Sequence, residues 1–169
     1  MMLVLTKKRL ATGCALLGAL AVAAPLTQAV AATANTTFQV TATVVATCLI
    51  NANPLPFGNY TGTQTDATSS ISVTCTNTTP YNVGLDAGTS TGATVNARKM
   101  VGPAGATLGY ALFRDAARTQ NWGNTVGADT QTGTGNGSAQ TLTVFGRIPA
   151  NAFPVPGGYA DTITATITY

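Results

Sequence analysis

Histidine and glutamate are absent from this chain, and only 8% of its 169 residues are charged. Each absence removes a class of function. Without His, the usual general base near neutral pH and the commonest metal ligand are both missing. Without Glu, carboxylate chemistry falls to five Asp: Asp66, Asp86, Asp115, Asp129 and Asp161. They are scattered over distinct segments, so a paired-carboxylate or metal site would need several of them to converge in the fold. The chain is therefore read as a non-enzyme, with no catalytic residues, no metal ligands and no cofactor. The Ala/Glu/Lys/Leu/Arg mix of long helices is lacking too. Instead there are 32 Thr, 18 Gly and 45% apolar residues. That much apolar content excludes disorder, and the Thr/Val/Ala/Gly bias favours strands and turns.

The first 31 residues read as a secretory leader. Lys7, Lys8 and Arg9 form a positive start. Residues 10–24 are an almost unbroken apolar run, and Ala29-Val30-Ala31 is a small-x-small cleavage site. The run is shorter than the ~20 residues a membrane span needs, so no stable membrane insertion is expected after the leader is removed. A lipoprotein reading centred on Cys14 fails because the apolar run follows that cysteine instead of preceding it.

Removing the leader changes the charge balance. Arg98, Lys99, Arg114, Arg118 and Arg147 remain against the five Asp, a net charge of zero. A neutral surface is a poor nucleic-acid binder, because that affinity comes mainly from neutralising phosphates. It also lacks the self-repulsion that keeps proteins apart. Cys48 and Cys75 are the two cysteines left. An even pair in an exported chain reads as a disulfide, and a catalytic thiol would have no His partner.

Past the leader, the hydropathy pattern has the period of strands. Phe38, Val40, Ala42 and Val44 alternate with polar residues, and residues 45–50 continue the run after a change of face. Residues 51–62 carry prolines, glycines and asparagines and read as a turn region. Further strands are expected at 70–75, 81–86, 98–101, 108–113, 140–147 and 162–169. Residues 115–139 read as a long loop with room for one short strand. The result is an all-β sandwich of seven or eight short strands. The first alternating run, residues 38–44, is uncharged, and neither Lys nor Pro occurs between residues 32 and 50. Soluble monomers normally blunt such edges with those residues. The final run ends at residue 169. One end of the chain thus offers a strand and the other invites one, as in donor-strand complementation.

Several blocks resemble the spore coat protein U domain family, which includes subunits of archaic (Csu-type) chaperone–usher pili. Leu55-Pro56-Phe57-Gly58 resembles its segment after the first cysteine, and Ile71-Ser72-Val73-Thr74-Cys75-Thr76 its second cysteine strand. Residues 110–119, followed by Trp122-Gly123, resemble its most recognisable block. Phe145-Gly146-Arg147-Ile148-Pro149 and then residues 158–163 resemble its last strands. The resemblance covers nearly all of 36–169 in order. It implies an immunoglobulin-like β-sandwich that is incomplete and lacks its last strand. A periplasmic pilus chaperone lends a strand, an outer-membrane usher threads the fibre out, and the N-terminal segment of a neighbouring pilus subunit replaces the chaperone's strand. The expected organisation is a leader at 1–31, a donor extension at 32–45 and a pilin-type domain at 46–169. The donor residues are Phe38, Val40, Ala42 and Val44. The acceptor groove is expected at Leu142, Val144, Ile163, Ala165 and Ile167. The implied role is structural, in adhesion and biofilm formation at the cell surface, as a shaft or adaptor subunit. The alternative is a self-contained coat or carbohydrate-binding protein of the cell or spore surface.

Other features read as structural. Arg114, Asp115 and Arg118 suggest a surface ion pair closing a turn. Trp122 could stack on a sugar, but its place favours packing. Residues 133–138 are glycine-rich but lack the lysine and following helix of a phosphate loop. Asn35, Asn59, Asn77 and Asn136 begin N-x-[ST] matches that so Thr-rich a chain contains by chance.

Overall fold

A computed structural model describes residues 28–169, and the expected leader falls almost wholly outside them. The chain divides after Thr41 into two units. In the first, residues 28–41 form no strand or helix and are exposed throughout.

The second unit carries eight antiparallel strands. They are β1 (Cys48–Ala52), β2 (Thr65–Cys75), β3 (Pro80–Leu85), β4 (Arg98–Val101), β5 (Thr107–Phe113), β6 (Gln131–Thr134), β7 (Ala139–Ile148) and β8 (Ala165–Thr168). One sheet has the order β1-β2-β7-β5-β4, and the other β6-β3-β8. A single 3-10 turn at Pro103–Gly105 is the only helical element among the described residues, so none of their helices is long or apolar enough to cross a membrane.

Alternation builds the core between the sheets. Ile71, Val73 and Cys75 of β2, Tyr81, Val83 and Leu85 of β3, and Leu108, Tyr110 and Leu112 of β5 are all buried. Val144 and Ile148 of β7 join them. Trp122 is completely buried, and its indole N–H donates to the Val83 carbonyl at 2.8 Å. It is a packing residue. Arg98 is also fully buried. No carboxylate meets its guanidinium; it donates instead to the carbonyls of Asp86, Val95, Leu85 and Trp122 at 2.7–2.9 Å. Burial lowers its pKa, with nearby Tyr110 and Asp86 opposing that shift.

Cys48 and Cys75 face each other in the β1–β2 ladder and form the expected disulfide. It closes a 27-residue separation, a constraint that contributes about 3.5 kcal/mol on the chain-entropy estimate.

The structure corrects several boundaries. Residues 38–44 form no strand in the isolated chain, since no neighbouring strand pairs with their backbone groups. β1 runs into the expected turn region. β2 starts at Thr65, ahead of the expected Ser70, because Thr65-Asp66-Ala67-Thr68-Ser69 pairs with residues 144–148 of β7. β6 is a short strand inside residues 115–139, for which the loop reading left room. Its Gln-Thr-Gly-Thr sequence carries no apolar signal, yet it pairs with Pro80–Val83. The last strand is shorter than expected. After β7, Ala160 exchanges backbone hydrogen bonds with Val101 at 2.8 and 3.1 Å. The chain then changes sheets and joins β3 from Ala165 onward.

The charged turn also differs from expectation. Asp115 accepts from the backbone N–H groups of Thr119 and Gln120 and from the Thr119 hydroxyl. Arg118 pairs with Asp66 at 3.5 Å, and Arg147 pairs with Asp66 at 2.7 Å. Asp115 serves as a turn cap, because its oxygens are already taken by the loop's own donors. In the glycine-rich stretch, Gly135 and Gly137 donate to the Thr79 and Cys75 carbonyls, so those N–H groups are not free to cradle a phosphate.

Candidate functional site

β1 hydrogen-bonds only to β2, and β8 only to β3, among the described residues. The two strands come within 8 Å of each other, Cα to Cα, without sharing a ladder. Beyond them the seam opens into an apolar groove of about 480 Å³. One wall is Ala52, Asn53, Pro54, Leu55 and Phe57, and the other is the run from Tyr159 to Ile163 with Ala165. Ile71, Leu85, Tyr110, Leu112 and Val144 reach it from the core.

The walls are held by specific local structure. Leu55 and Phe57 fold over Gly146 of β7, where an added Cβ would meet the Phe57 ring at 2.8 Å. Any side chain at 146 would push that wall outward. Phe57 also meets Tyr110 edge-on, with ring centroids 6.1 Å apart. The opposite wall is tied down by two carboxylates. Asp86 accepts from the backbone N–H groups of Gly88 and Thr164 at 3.0 and 2.9 Å. Asp161 accepts from the Thr89 and Thr162 N–H groups and the Thr89 hydroxyl through Oδ1, and from the Tyr110 hydroxyl through Oδ2. Gly88 has a φ of +83°, and a Cβ there would collide with the Asp161 carboxylate, so both the turn and the close approach require glycine.

The electrostatics follow from those bonds. Burial works to raise the pKa of Asp161. The donors from Tyr110, Thr89 and Thr162 outweigh it and hold the carboxyl below the usual carboxylate value. Burial, reinforced by the bond to Asp161, pushes the Tyr110 hydroxyl far above its ordinary value. At neutral pH this is a neutral phenol donating to a carboxylate. The arrangement holds a wall in place and offers no free acid or base.

Among the expected acceptor residues, Val144, Ile163 and Ala165 lie on the groove. Leu142 and Ile167 are half-buried against the core and lie off it. Sequence reasoning missed Pro54, Leu55, Phe57, Met100 and Tyr159. The Leu-Pro-Phe-Gly block was visible, but its proline and glycine mark a turn and hide the wall it makes. The expected donor residues stand free: Phe38, Val40 and Val44 are 85%, 81% and 88% exposed, and Ala42 is exposed as well.

Residues 34–166 match the family described as Spore Coat Protein U domain. Protein U of Myxococcus xanthus is 32% identical over 156 residues, covering 82% of this chain and 87% of that protein. Among solved structures, similarity extends to the crystal structure of the CsuC-CsuE chaperone-tip adhesion subunit pre-assembly complex from archaic chaperone-usher Csu pili of Acinetobacter baumannii. The TM-score is 0.55 at 25% identity, over 75% of this chain and 40% of that one. This chain therefore spans less than half the length of its structural counterpart.

Proposed function

This chain belongs to the Spore Coat Protein U domain family, and we propose that it is a structural subunit of a chaperone–usher pilus, polymerised by donor-strand complementation. The observation that carries this reading is the apolar groove between the 52–57 and 159–165 walls, beside the unpaired edges of β1 and β8. Phe38, Val40, Ala42 and Val44 have the matching period. An extended segment from 38 to 44 spans roughly 20 Å. Seated in a neighbour's groove, it pairs its backbone with a free edge and buries its alternate side chains. Each Phe or Val so buried contributes about 1.5–3 kcal/mol. The exposed apolar run and the open groove are thus two halves of one interface, carried at different places on every copy. Such a head-to-tail contact builds a filament wherever the rotation between successive copies does not close into a ring.

In this reading residues 1–31 are removed on export, 32–45 are the donor extension and 46–169 are the acceptor domain. Before assembly the groove is filled by a strand from a periplasmic chaperone. The outer-membrane usher then passes the fibre to the cell surface, where it supports adhesion and biofilm formation. The pre-assembly complex among the similar structures supports a chaperone partner. The acceptor residues are Val144, Ile163 and Ala165 together with Leu55 and Phe57, with Leu142 and Ile167 continuing the same faces.

The test is Val40→Asp. A carboxylate in the middle of the donor run should stop polymerisation, because an unpaired charge would enter an apolar groove. The chaperone complex should form normally, since the chaperone supplies its own strand. Normal fibres from Val40→Asp chains would remove residues 38–44 from the donor role.

A further inference from the structure

A second groove adjoins the first. It measures about 780 Å³ and lies between two proline- and glycine-rich loops, residues 55–62 and 152–159. It shares Leu55, Phe57, Met100 and Tyr159 with the strand groove, so the two are continuous. Its rim exposes Phe153 at 80% and Val155 at 51%. The loops themselves are anchored. The Tyr60 hydroxyl donates to the Pro149 carbonyl at 2.7 Å and accepts from the Ala152 N–H at 3.1 Å. The Tyr159 hydroxyl donates to the Val155 carbonyl at 2.7 Å. An apolar rim on fixed loops is a surface built to be covered.

We infer that this loop groove is a docking surface for a second copy of this chain, which seats Val45 and Leu49 on Phe153 and Val155. The inference rests on the donor-strand reading and adds the contact between subunit bodies. Chain length forces such a contact. Only Val45, Ala46 and Thr47 separate the donor run from β1, and three extended residues reach about 10 Å. A subunit whose residues 38–44 lie in the strand groove must therefore rest its body against one end of that groove. At one end, β1 and β8 have already closed to within 8 Å. At the other, the strand groove runs into the loop groove. Val45 and Leu49, at the base of the donor run, are 70% and 71% exposed. They supply an apolar partner for the exposed Phe153 and Val155 of the rim. The body contact therefore sets the direction of the inserted segment, with Val44 at the loop end of the neighbour's groove.

Cysteine cross-linking in mixed assemblies tests this. One exported chain carries Val45→Cys, and its partner carries either Val155→Cys or Tyr169→Cys. The native Cys48–Cys75 disulfide is left in place, and the bridged peptides are identified by mass spectrometry. A Val45–Val155 link without a Val45–Tyr169 link is expected. Phe153→Asp should leave the lone domain's melting unchanged and speed dissociation of assembled chains about tenfold. A Val45–Tyr169 link, or no link at either position in chains that still assemble, would overturn the loop docking and leave the donor strand standing. Adding Val40→Asp to the Val45→Cys chain separates the two readings. If the Val45–Val155 link persists undiminished, the bodies dock without strand insertion, and the inference that the inserted strand brings them together is overturned, while the donor reading is decided by whether Val40→Asp chains still form fibres.

Discussion

The Tyr110 hydroxyl donates to Oδ2 of Asp161 at 2.6 Å, joining β5 of the larger sheet to the segment that leads into β8. Both residues line the strand groove, so this bond fixes one wall relative to its floor. Tyr110→Phe removes the donor and keeps the ring. The cost should be about 1.5 kcal/mol, the low end for a hydrogen bond to a charged group, because Asp161 keeps some solvent. Denaturant unfolding of the lone domain checks it, and an unchanged midpoint would contradict it.

The same pair predicts how stability varies with pH. Asp161 has a lowered pKa in the fold. Its contribution is therefore present above the unfolded carboxylate value of about 3.9 and is lost as pH falls through the folded value. Tyr110 has a raised pKa. Its contribution is present below the unfolded value of about 10 and is lost as pH rises toward the folded one. Melting temperature against pH should fall at both extremes. In Tyr110→Phe the alkaline fall should shrink. An alkaline limb unchanged by Tyr110→Phe would assign that fall to another group.

Arg98 satisfies four backbone carbonyls from one buried guanidinium. Arg98→Met should cost at least about 3 kcal/mol, because several buried acceptors lose their donor at once. Arg98→Lys should recover little, since an ammonium lacks the planar fork that reaches separate carbonyls. A Lys variant as stable as the native chain in denaturant would show that the fork geometry is unimportant.

The Cys48–Cys75 bridge ties the first strand of the groove region to the core. Replacing both cysteines by Ser should lower stability by about 3.5 kcal/mol and reduce the yield of exported protein. Mass spectrometry showing two free thiols in the exported native chain would contradict the bridge.

Much of this architecture was legible because one face of each central strand is buried. The alternation of Ile71, Val73 and Cys75, and of Leu108, Tyr110 and Leu112, marks the core directly. The pairing of Cys48 with Cys75 followed from export and an even count. The hidden parts are those built by backbone pairing alone. Thr65 to Ser69 and Gln131 to Thr134 are strands because β7 and β3 lie beside them, and their side chains carry no signal of it. The groove was half legible. Val144, Ile163 and Ala165 sit on alternating faces, whereas Pro54, Leu55 and Phe57 form a wall by folding over Gly146. Arg98 gave no sign of burial, since its carbonyl partners, at the end of β3, in the turn at Val95 and at Trp122, are brought together only by the tertiary fold.

The most direct test of the central claim is to fill the groove within one chain. A copy of residues 34–46, fused to the C-terminus through a flexible linker, has a high effective concentration at its own groove and should outcompete neighbours. The fusion and the unmodified exported chain are compared by size-exclusion chromatography and thermal melting. The account predicts that the fusion is a monomer, melts well above the unmodified chain and no longer joins fibres, while the unmodified chain associates or aggregates. If the unmodified chain is already a stable monomer and the fusion gains nothing, the domain is complete on its own, and a self-contained surface protein replaces the pilus subunit.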